Sequence, residues 1–403
     1  MWKLAMRNVT RQKIRTLMTM GAIAAGVVSL VLAGGFVADI FIQLREFTIH
    51  SQLGHMQVYK EGYYKFGTQS PSKYVIEDPE PVKKQILKDP HVLDVLSRLN
   101  FSGLMSNGRS DLAIIGEGVE PDKEQKLGTY LSLIAGRHLK DEDQFGIVLG
   151  EGVAQSQKLA PGDRVNLLIN NKDGSLNSLE FEVVGVFRSY SQEFDSRAVR
   201  IPLAAAQELL TSPGVNSLVV SLHRTNDTQE VAEILRQVLA GKGYELMTWE
   251  DLSDFYRSTV ELYEVQFGVL RLIILGMVLL GVVNSVNMSV FERYGEFGTM
   301  RALGDRNRTV FNLIITENLV VGTAGAALGA VLGVALALGI SALGIPMPPP
   351  PNSNTPYTAY IRVVPWGIFE AFLIGLIAAV AAASIPSLRV SRSHIADALR
   401  RNI

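Results

Sequence analysis

Residues 16–38 read TLMTMGAIAAGVVSLVLAGGFVA, a run without a charged side chain that ends at Asp39. A helix needs about 20 mainly apolar residues to cross the hydrocarbon core of a bilayer, so this run is long enough to span one. Three further stretches behave alike. Leu272–Phe291 is uncharged after Arg271. Residues 318–361 hold no charge either, but Pro346 and Pro348–Pro351 break them, leaving a span over Asn318–Leu343 and a Pro-rich loop. Val364–Leu388 is interrupted only by Glu370. The fold class is therefore membrane α-helical, with four transmembrane helices. Basic residues precede the first run, as they would in a signal peptide. The run is longer than an h-region of roughly 7–15 residues and no persuasive small-x-small cleavage site follows, so it reads as a retained anchor.

Lys and Arg flank the spans unequally. Lys3, Arg7, Arg11, Lys13 and Arg15 precede the first; Arg293, Arg301, Arg306 and Arg308 lie between the second and third; Arg389, Arg392, Arg400 and Arg401 follow the fourth. The loop between the third and fourth holds only Arg362. Basic residues favour the cytoplasmic side, which puts both termini inside and the long segment after the first span outside. The expected location is the inner (cytoplasmic) membrane. The net charge of -1 argues against a nucleic-acid partner. The absence of cysteine excludes disulfides and thiolate metal sites, though it does not fix the redox compartment.

The segment between the first and second spans alternates strand and helix patterns and reads as a large α+β domain. Leu112–Ile115, Gly146–Leu149, Arg164–Ile169, Leu179–Phe187, Val199–Ile201 and Ser217–Leu222 are predicted strands. Gly152–Leu159, Leu203–Leu210 and Thr228–Ala240 are predicted helices, and Pro161-Gly162-Asp163 and Lys172-Asp173-Gly174 are turn signals. Phe36, Ile40, Leu44 and Phe47, and likewise Phe255, Val260, Tyr263 and Phe267, recur at helical spacing and predict stalks that prolong the two spans. The resulting division is a basic amphipathic helix (1–15) on the inner membrane surface, first span and stalk (16–43), domain (44–254), second stalk and span (255–291), cytoplasmic segment (292–317), third span (318–343), loop (344–363), fourth span (364–388) and C-terminus (389–403). Within the domain, about 44–100 with 200–254, and 101–199, form two expected subdomains.

Small residues ridge the spans at i, i+4: Gly325, Gly329, Gly333 and Ala337 on the third, Gly21, Ala25, Ser29 and Ala33 on the first, and Gly375, Ala379 and Ala383 on the fourth. Such residues let helices approach closely in lipid, here within the chain or else at a subunit interface. Asn284 and Asn287 are expected to hydrogen-bond between helices. Glu370 is the one charge in the fourth span, placed where it can reach water, and reads as interfacial. Catalytic signals are missing: the six histidines show no compact metal-ligand spacing, and neither a GxSxG elbow nor a GxxxxGK[ST] phosphate loop occurs. The chain should not hydrolyse ATP itself, and no cofactor is expected in it.

After the second span comes Phe291-Glu292-Arg293-Tyr-Gly-Glu296-Phe-Gly298-Thr-Met-Arg301-Ala302-Leu303-Gly304. Its ER-x-x-E-x-G-x-x-R-A-L-G pattern resembles the FtsX-like permease family, which includes the MacB-type exporters and the LolC/LolE lipoprotein-release permeases. Gly136-Arg137, Gly150-Glu151, Pro161-Gly162-Asp163 and Val184-Gly185-Val186 resemble the same family, as does the ending Pro386-Ser-Leu-Arg389-Val-Ser-Arg392 through Ala398-Leu399-Arg400. Trp2-Lys-Leu-Ala-Met-Arg7-Asn8 and Gly54-His55-Met56-Gln57-Val58 lean toward the LolC/LolE branch.

The resemblance implies an ABC permease that dimerises with a second copy or paralogue and binds two copies of a separate ATPase, which would carry ATP and Mg. The 291–304 string, with Glu292 and Glu296 at i, i+4, is the implied ATPase-coupling element. The implied mechanism is mechanotransmission: ATPase closure moves the stalks, and the outside domain acts on a lipoprotein, lipid or other amphiphile. The expected substrate cavity, between the first and second spans, would be lined by Phe36, Ile40, Phe41, Phe255, Tyr256 and Phe267. A periplasmic adaptor or chaperone is a further candidate partner. The alternatives are drug or peptide efflux with an adaptor, and regulation of an extracytoplasmic partner without transport. The absence of paired half-length spans argues against a secondary transporter.

Overall fold

The computed structural model describes residues 2–11, 13–67, 71–128, 131–171, 174–349 and 356–391. The expectations that rest on Arg392 to the C-terminus, on Lys172 and Asp173, and on Pro350 and Pro351 lie outside these. The chain forms two compact units: residues 1–42, 259–347 and 358–403, and residues 43–258 with 348–357.

Among the described residues four helices are long and apolar enough to cross a membrane: Lys13–Leu53, Asp254–Glu292, Asn307–Leu343 and Pro365–Ser391. The first two include the predicted stalks. Asp39 ends the uncharged run but not the helix, because its carboxylate is fully buried and paired. It accepts from the Tyr360 backbone N–H (2.8 Å) and from Arg362 Nε (2.8 Å). The third helix starts at Asn307, not at 318 as the loss of charge suggests. Its early charges are carried because Glu317 is buried against partners from elsewhere in the chain.

Valines at every fourth position of the second span (Val278, Val282, Val286, Val290) face the bundle core, with Ile23 and Val27 of the first and Ala378 and Ala382 of the fourth. The glycine ridge of the third span packs on the first. A Cβ at Gly329 would lie 2.7 Å from the Ala24 carbonyl oxygen, and one at Gly325 3.1 Å from that of Met20. A Cβ at Gly375 would lie 2.5 Å from a side-chain methyl of Val27. Gly21 and Ala25 instead lie exposed on the first span. Within this chain the two asparagines do not form the expected interhelical bonds. Among the described residues the side chains of Asn284 and Asn287 make no hydrogen bond, and Asn284 is exposed. The interhelical bond in this region joins the hydroxyls of Thr19 and Ser285, which face each other across the first and second spans.

The second unit is built on one ten-stranded sheet among the described residues. Its strands are β1 (Met56–Lys60), β2 (Val92–Ser106), β3 (Asp111–Val119), β4 (Ser132–Gly136), β5 (Gly146–Gly150), β6 (Arg164–Asn170), β7 (Leu176–Arg188), β8 (Ala198–Pro202), β9 (Ser217–Leu222) and β10 (Tyr244–Thr248). The order is β10-β1-β9-β2-β3-β8-β5-β7-β4, with β6 pairing β2 and β7. Most pairs are antiparallel; β3–β8 and β5–β7 are parallel. Strand β6 shows why alternation predicted it: Val165, Leu167 and Ile169 point into the core while Arg164, Asn166 and Asn170 face out.

Two apolar cores flank the long β2. One gathers β1, β9 and the start of β2 under the helix Thr228–Leu239, through Val231, Leu235 and Leu239. The other gathers β5 to β8 under the helices Glu151–Gln157 and Leu203–Leu210. Arg98 lies midway along β2, where its pairing passes from β9 to β3.

Candidate functional site

Three constellations carry chemistry. The first joins the N-terminal helix (Trp2–Arg11) to the segment after the second span. Arg293 is 8% exposed and lies between two acids: its Nη1 donates to Glu317 (2.7 Å) and its Nε to Glu296 (2.9 Å). Its guanidinium stands 5.0 Å from the ring centre of Phe297, itself buried. Asn8 Nδ2 donates to the other Glu317 oxygen at 2.6 Å, so one carboxylate ties the N-terminal helix, the short helix Tyr294–Ala302 and the third span together. Arg15 bonds Glu292, and Arg11 lies 3.8 Å from Glu296.

These contacts revise the nine residues expected at an ATPase. Arg293 and Gly298 turn inward and are buried; Arg293 is drawn in by Glu317, whose charge no other described cation neutralises. Glu292 and Glu296 are exposed but already engaged by arginines of this chain. Arg301 is half-buried. Phe291, Ala302, Leu303 and Gly304 are exposed, Leu303 at 84%. Gly304 has a φ of +107°, a left-handed turn that only glycine adopts freely, and it ends the helix beside this apolar knob. The expected basic stripe divides likewise: Arg11 and Arg15 hold acids, whereas the exposed Arg7 side chain has no partner among the described residues.

The second constellation holds the far end of the first long helix. That helix finishes in a π-helical turn, Ile49–Leu53, and Gly54 turns the chain out of it with φ +67°. A Cβ there would also meet Val219 at 2.4 Å. The last carbonyls of a helix lack intrahelical partners and carry its negative dipole end. Here two arginines take them: Arg98 Nη1 donates to the Gln52 oxygen and Arg200 Nη2 to the Ser51 oxygen (3.4 Å).

Both arginines are almost fully buried and are matched by two acids. Arg98 makes a paired contact with Glu124 (3.0 and 2.5 Å), and Arg200 Nε donates to Glu117 at 2.7 Å. Register places them: Glu117 of β3 lies directly beside Arg200 of β8, and Pro121 starts the helix that returns Glu124 over Arg98. Burial alone would raise the Glu117 carboxyl, but Arg200 and Arg98 beside it hold it below the usual carboxylate range. His55 completes the joint. Its Nδ1 accepts from the Leu222 N–H (3.1 Å) and its Nε2 lies 3.3 Å from the Thr225 hydroxyl, so the ring is neutral with its proton on Nε2. Burial pushes its pKa down to about 4, with His50 and Arg45 adding to the shift and Glu46 opposing it.

The third constellation is aromatic. A cavity of about 340 Å³ opens at the helix end just described, lined by Phe47, Tyr190 and Phe255 among others. Phe47 and Tyr190 stack with centroids 4.7 Å apart. Of the six expected cavity residues only Phe255 lines it; Tyr256 packs edge-on against Trp249 instead. In the bundle unit, Phe41 meets Tyr263, which stacks on Phe267 (6.3 and 6.2 Å). Phe36 and Ile40 are half-buried on the first span. Sequence reasoning missed Tyr190, Glu317 and the Arg98–Glu117–Glu124–Arg200 cluster.

Residues 16–238 match the model of the MacB-like periplasmic core domain, and residues 268–395 that of the FtsX-like permease C-terminal domain. The chain belongs to the MacB/FtsX-like family of ABC transporter permeases. This permease is 25% identical over 303 residues to the lipoprotein-releasing system transmembrane protein LolE of Haemophilus influenzae, covering 73% of this chain and 68% of that one. It is 24% identical to an uncharacterized ABC transporter permease of Methanocaldococcus jannaschii, covering 60% of each. It is 25% identical to the macrolide export ATP-binding/permease protein MacB of Bdellovibrio bacteriovorus, covering 73% of this chain and 46% of the other. Its large domain resembles the crystal structure of the periplasmic region of MacB from Actinobacillus actinomycetemcomitans, with a TM-score of 0.36, 18% identity and coverage of 52% of this permease and 93% of that chain.

Proposed function

We propose that this permease passes the closure of a separate ATPase along its long helices to the large domain, which then acts on an amphiphile such as a lipoprotein or a lipid. In this reading both termini and residues 291–304 are cytoplasmic, the large domain is extracytoplasmic, and ATP and Mg stay on the ATPase. The observation that carries the reading is mechanical. The first helix runs without a break from Lys13 into the π-helical turn, and each of its ends is held by buried or paired charge rather than by a flexible loop. The apolar bundle core supports a lever over a hydrophilic pore. The basic clusters support the orientation.

The docking surface is the exposed apolar knob of Phe291, Ala302 and Leu303. Asn284 supports a second permease copy or a paralogue beside the second span: an amide facing hydrocarbon gains a hydrogen bond when another helix covers it. The aromatic cavity at Phe47, Tyr190 and Phe255 suits an apolar substrate group.

Affinity purification of the full chain in mild detergent tests the core of this reading. An ATPase and a second permease subunit are the expected companions, and a complex without an ATPase overturns it. Phe47→Arg and Phe255→Arg should abolish substrate-stimulated ATPase activity; unchanged stimulation removes the amphiphile from the account. The similarity to MacB favours one second reading, efflux of a small molecule through a periplasmic adaptor, which co-purification of an adaptor would select.

A further inference from the structure

The bundle holds another cavity, remote from the ion pairs around Arg293. It has a volume of about 220 Å³ and lies between the first and fourth spans, at the end where Arg271 precedes the second apolar run. The first span recedes there because Gly34 and Gly35 offer no side chains. The fourth contributes Glu370 and, one helical turn before it, the exposed Trp366. Tryptophan favours the level of the lipid head groups, and four residues of helix place Glu370 about 6 Å deeper.

Three charges line this cavity: Arg271, Arg362 and Glu370. Arg362 is fixed in place by its Nε on the buried Asp39 and by its backbone N–H on the Gly35 carbonyl (3.1 Å), while its terminal nitrogens bond nothing among the described residues. Arg271 and Glu370 have no hydrogen-bond or ion-pair partner among those residues. Arg271 and Glu370 are left unpaired, which is costly for a charge within a span, so a ligand that pairs both is favoured, with the terminal nitrogens of Arg362 as further donors. Leu30, Val31 and Ile374 form an apolar wall alongside.

We propose that this cavity binds a phospholipid with a phosphoethanolamine head group. The phosphate lies on Arg271 and Arg362, the ammonium donates to Glu370, and an acyl chain runs along Leu30, Val31 and Ile374. A phosphoglycerol head satisfies the arginines but leaves Glu370 facing an anion with no cation to offset it. A phosphocholine head carries the right charges but has no N–H for the carboxylate. The lipid is a resident partner of the bundle, whatever the permease moves, and so does not rest on the substrate reading above.

The test uses full-length protein in detergent, stripped of lipid and then exposed to equal amounts of phosphatidylethanolamine, phosphatidylglycerol and phosphatidylcholine, with retained lipid counted by native mass spectrometry. The expected result is a roughly tenfold preference for phosphatidylethanolamine over each of the others, the size of one charge-assisted hydrogen bond. Glu370→Gln should erase that preference while retention of phosphatidylglycerol persists, and Arg271→Gln should lower retention of all three. The ratio in the unaltered protein needs no variant to fold. Equal retention of the three lipids, retention of phosphatidylglycerol alone, no retained lipid, or a Glu370→Gln variant that keeps the preference would each overturn the proposal.

Discussion

Replacing Arg98 by methionine separates two roles of the buried charge cluster. Arg98 is 2% exposed and serves two ends at once: it neutralises Glu124 and it holds the Gln52 carbonyl at the end of the first long helix. Arg98→Met leaves Glu117 and Glu124 buried with Arg200 alone between them. Breaking a buried pair from one side costs about 3–5 kcal/mol, because a charge is left without a partner. For a domain of this size class each kcal/mol moves the midpoint by about 2–4 °C, so the domain should melt roughly 10 °C lower in the full-length protein. The double variant Arg98→Met, Glu124→Gln removes one charge of each sign and keeps the 2.7 Å bond between Arg200 and Glu117. It should regain most of the lost stability yet still lack the hold on Gln52. Reconstituted with the ATPase, it should hydrolyse ATP while spin labels placed across the large domain show a reduced ATP-dependent distance change. A double variant that restores both melting and the distance change would refute the idea that this hold transmits motion. A single variant that melts like the parent would refute the buried-charge account itself.

Three other expectations follow from single residues. Leu303→Asp should abolish co-purification of the ATPase without altering the melting profile, since the side chain it removes is almost wholly exposed. Gly329→Ala should destabilise the bundle by about 1–3 kcal/mol, because its Cβ would lie 2.7 Å from a backbone oxygen, whereas Gly21→Ala, with open space around it, should leave folding unchanged; both are read from detergent melting curves. His55 makes the large domain acid-sensitive. Its pKa falls from 6.5 to about 4 on folding, so the unfolded chain binds a proton the folded one refuses, and stability is full above pH 6.5 and declines as pH falls toward 4, by up to about 3 kcal/mol. His55→Asn should flatten that part of the melting-temperature profile between pH 7 and pH 4.5, and an unchanged slope would show that another group carries it.

The sequence was most legible where solvent alone decides structure. Absence of charge marked the four spans, and short apolar or alternating runs bounded by Gly, Asp and Asn marked β5 to β9, with clean alternation in β6 and full burial in β5, β8 and β9. Strand β2 and the start of the third helix were illegible for one cause, a polar group buried by a partner far away in the chain. Strand β2 stayed hidden because Asp94, Ser97, Arg98 and Asn100 spoil its alternation, and Arg98 is tolerated inside only because Glu124, 26 residues on, returns over it. The third helix seemed to start at 318 because Glu317 looks like a boundary; it is an interior residue once Arg293 and Asn8 cover it. The segment at 291–304 follows the same rule: Arg293, Glu292 and Glu296 are engaged within the chain, and the proposed docking therefore falls to the apolar side chains around Leu303. The buried pairs sit where long helices are gripped, at Glu317 and at Gln52, and a grip must resist sliding. A buried ion pair loses its partner when either side moves, which costs about 3–5 kcal/mol. Charge buried at those two joints is therefore what the proposed lever requires, and it is also what hydropathy alone cannot display.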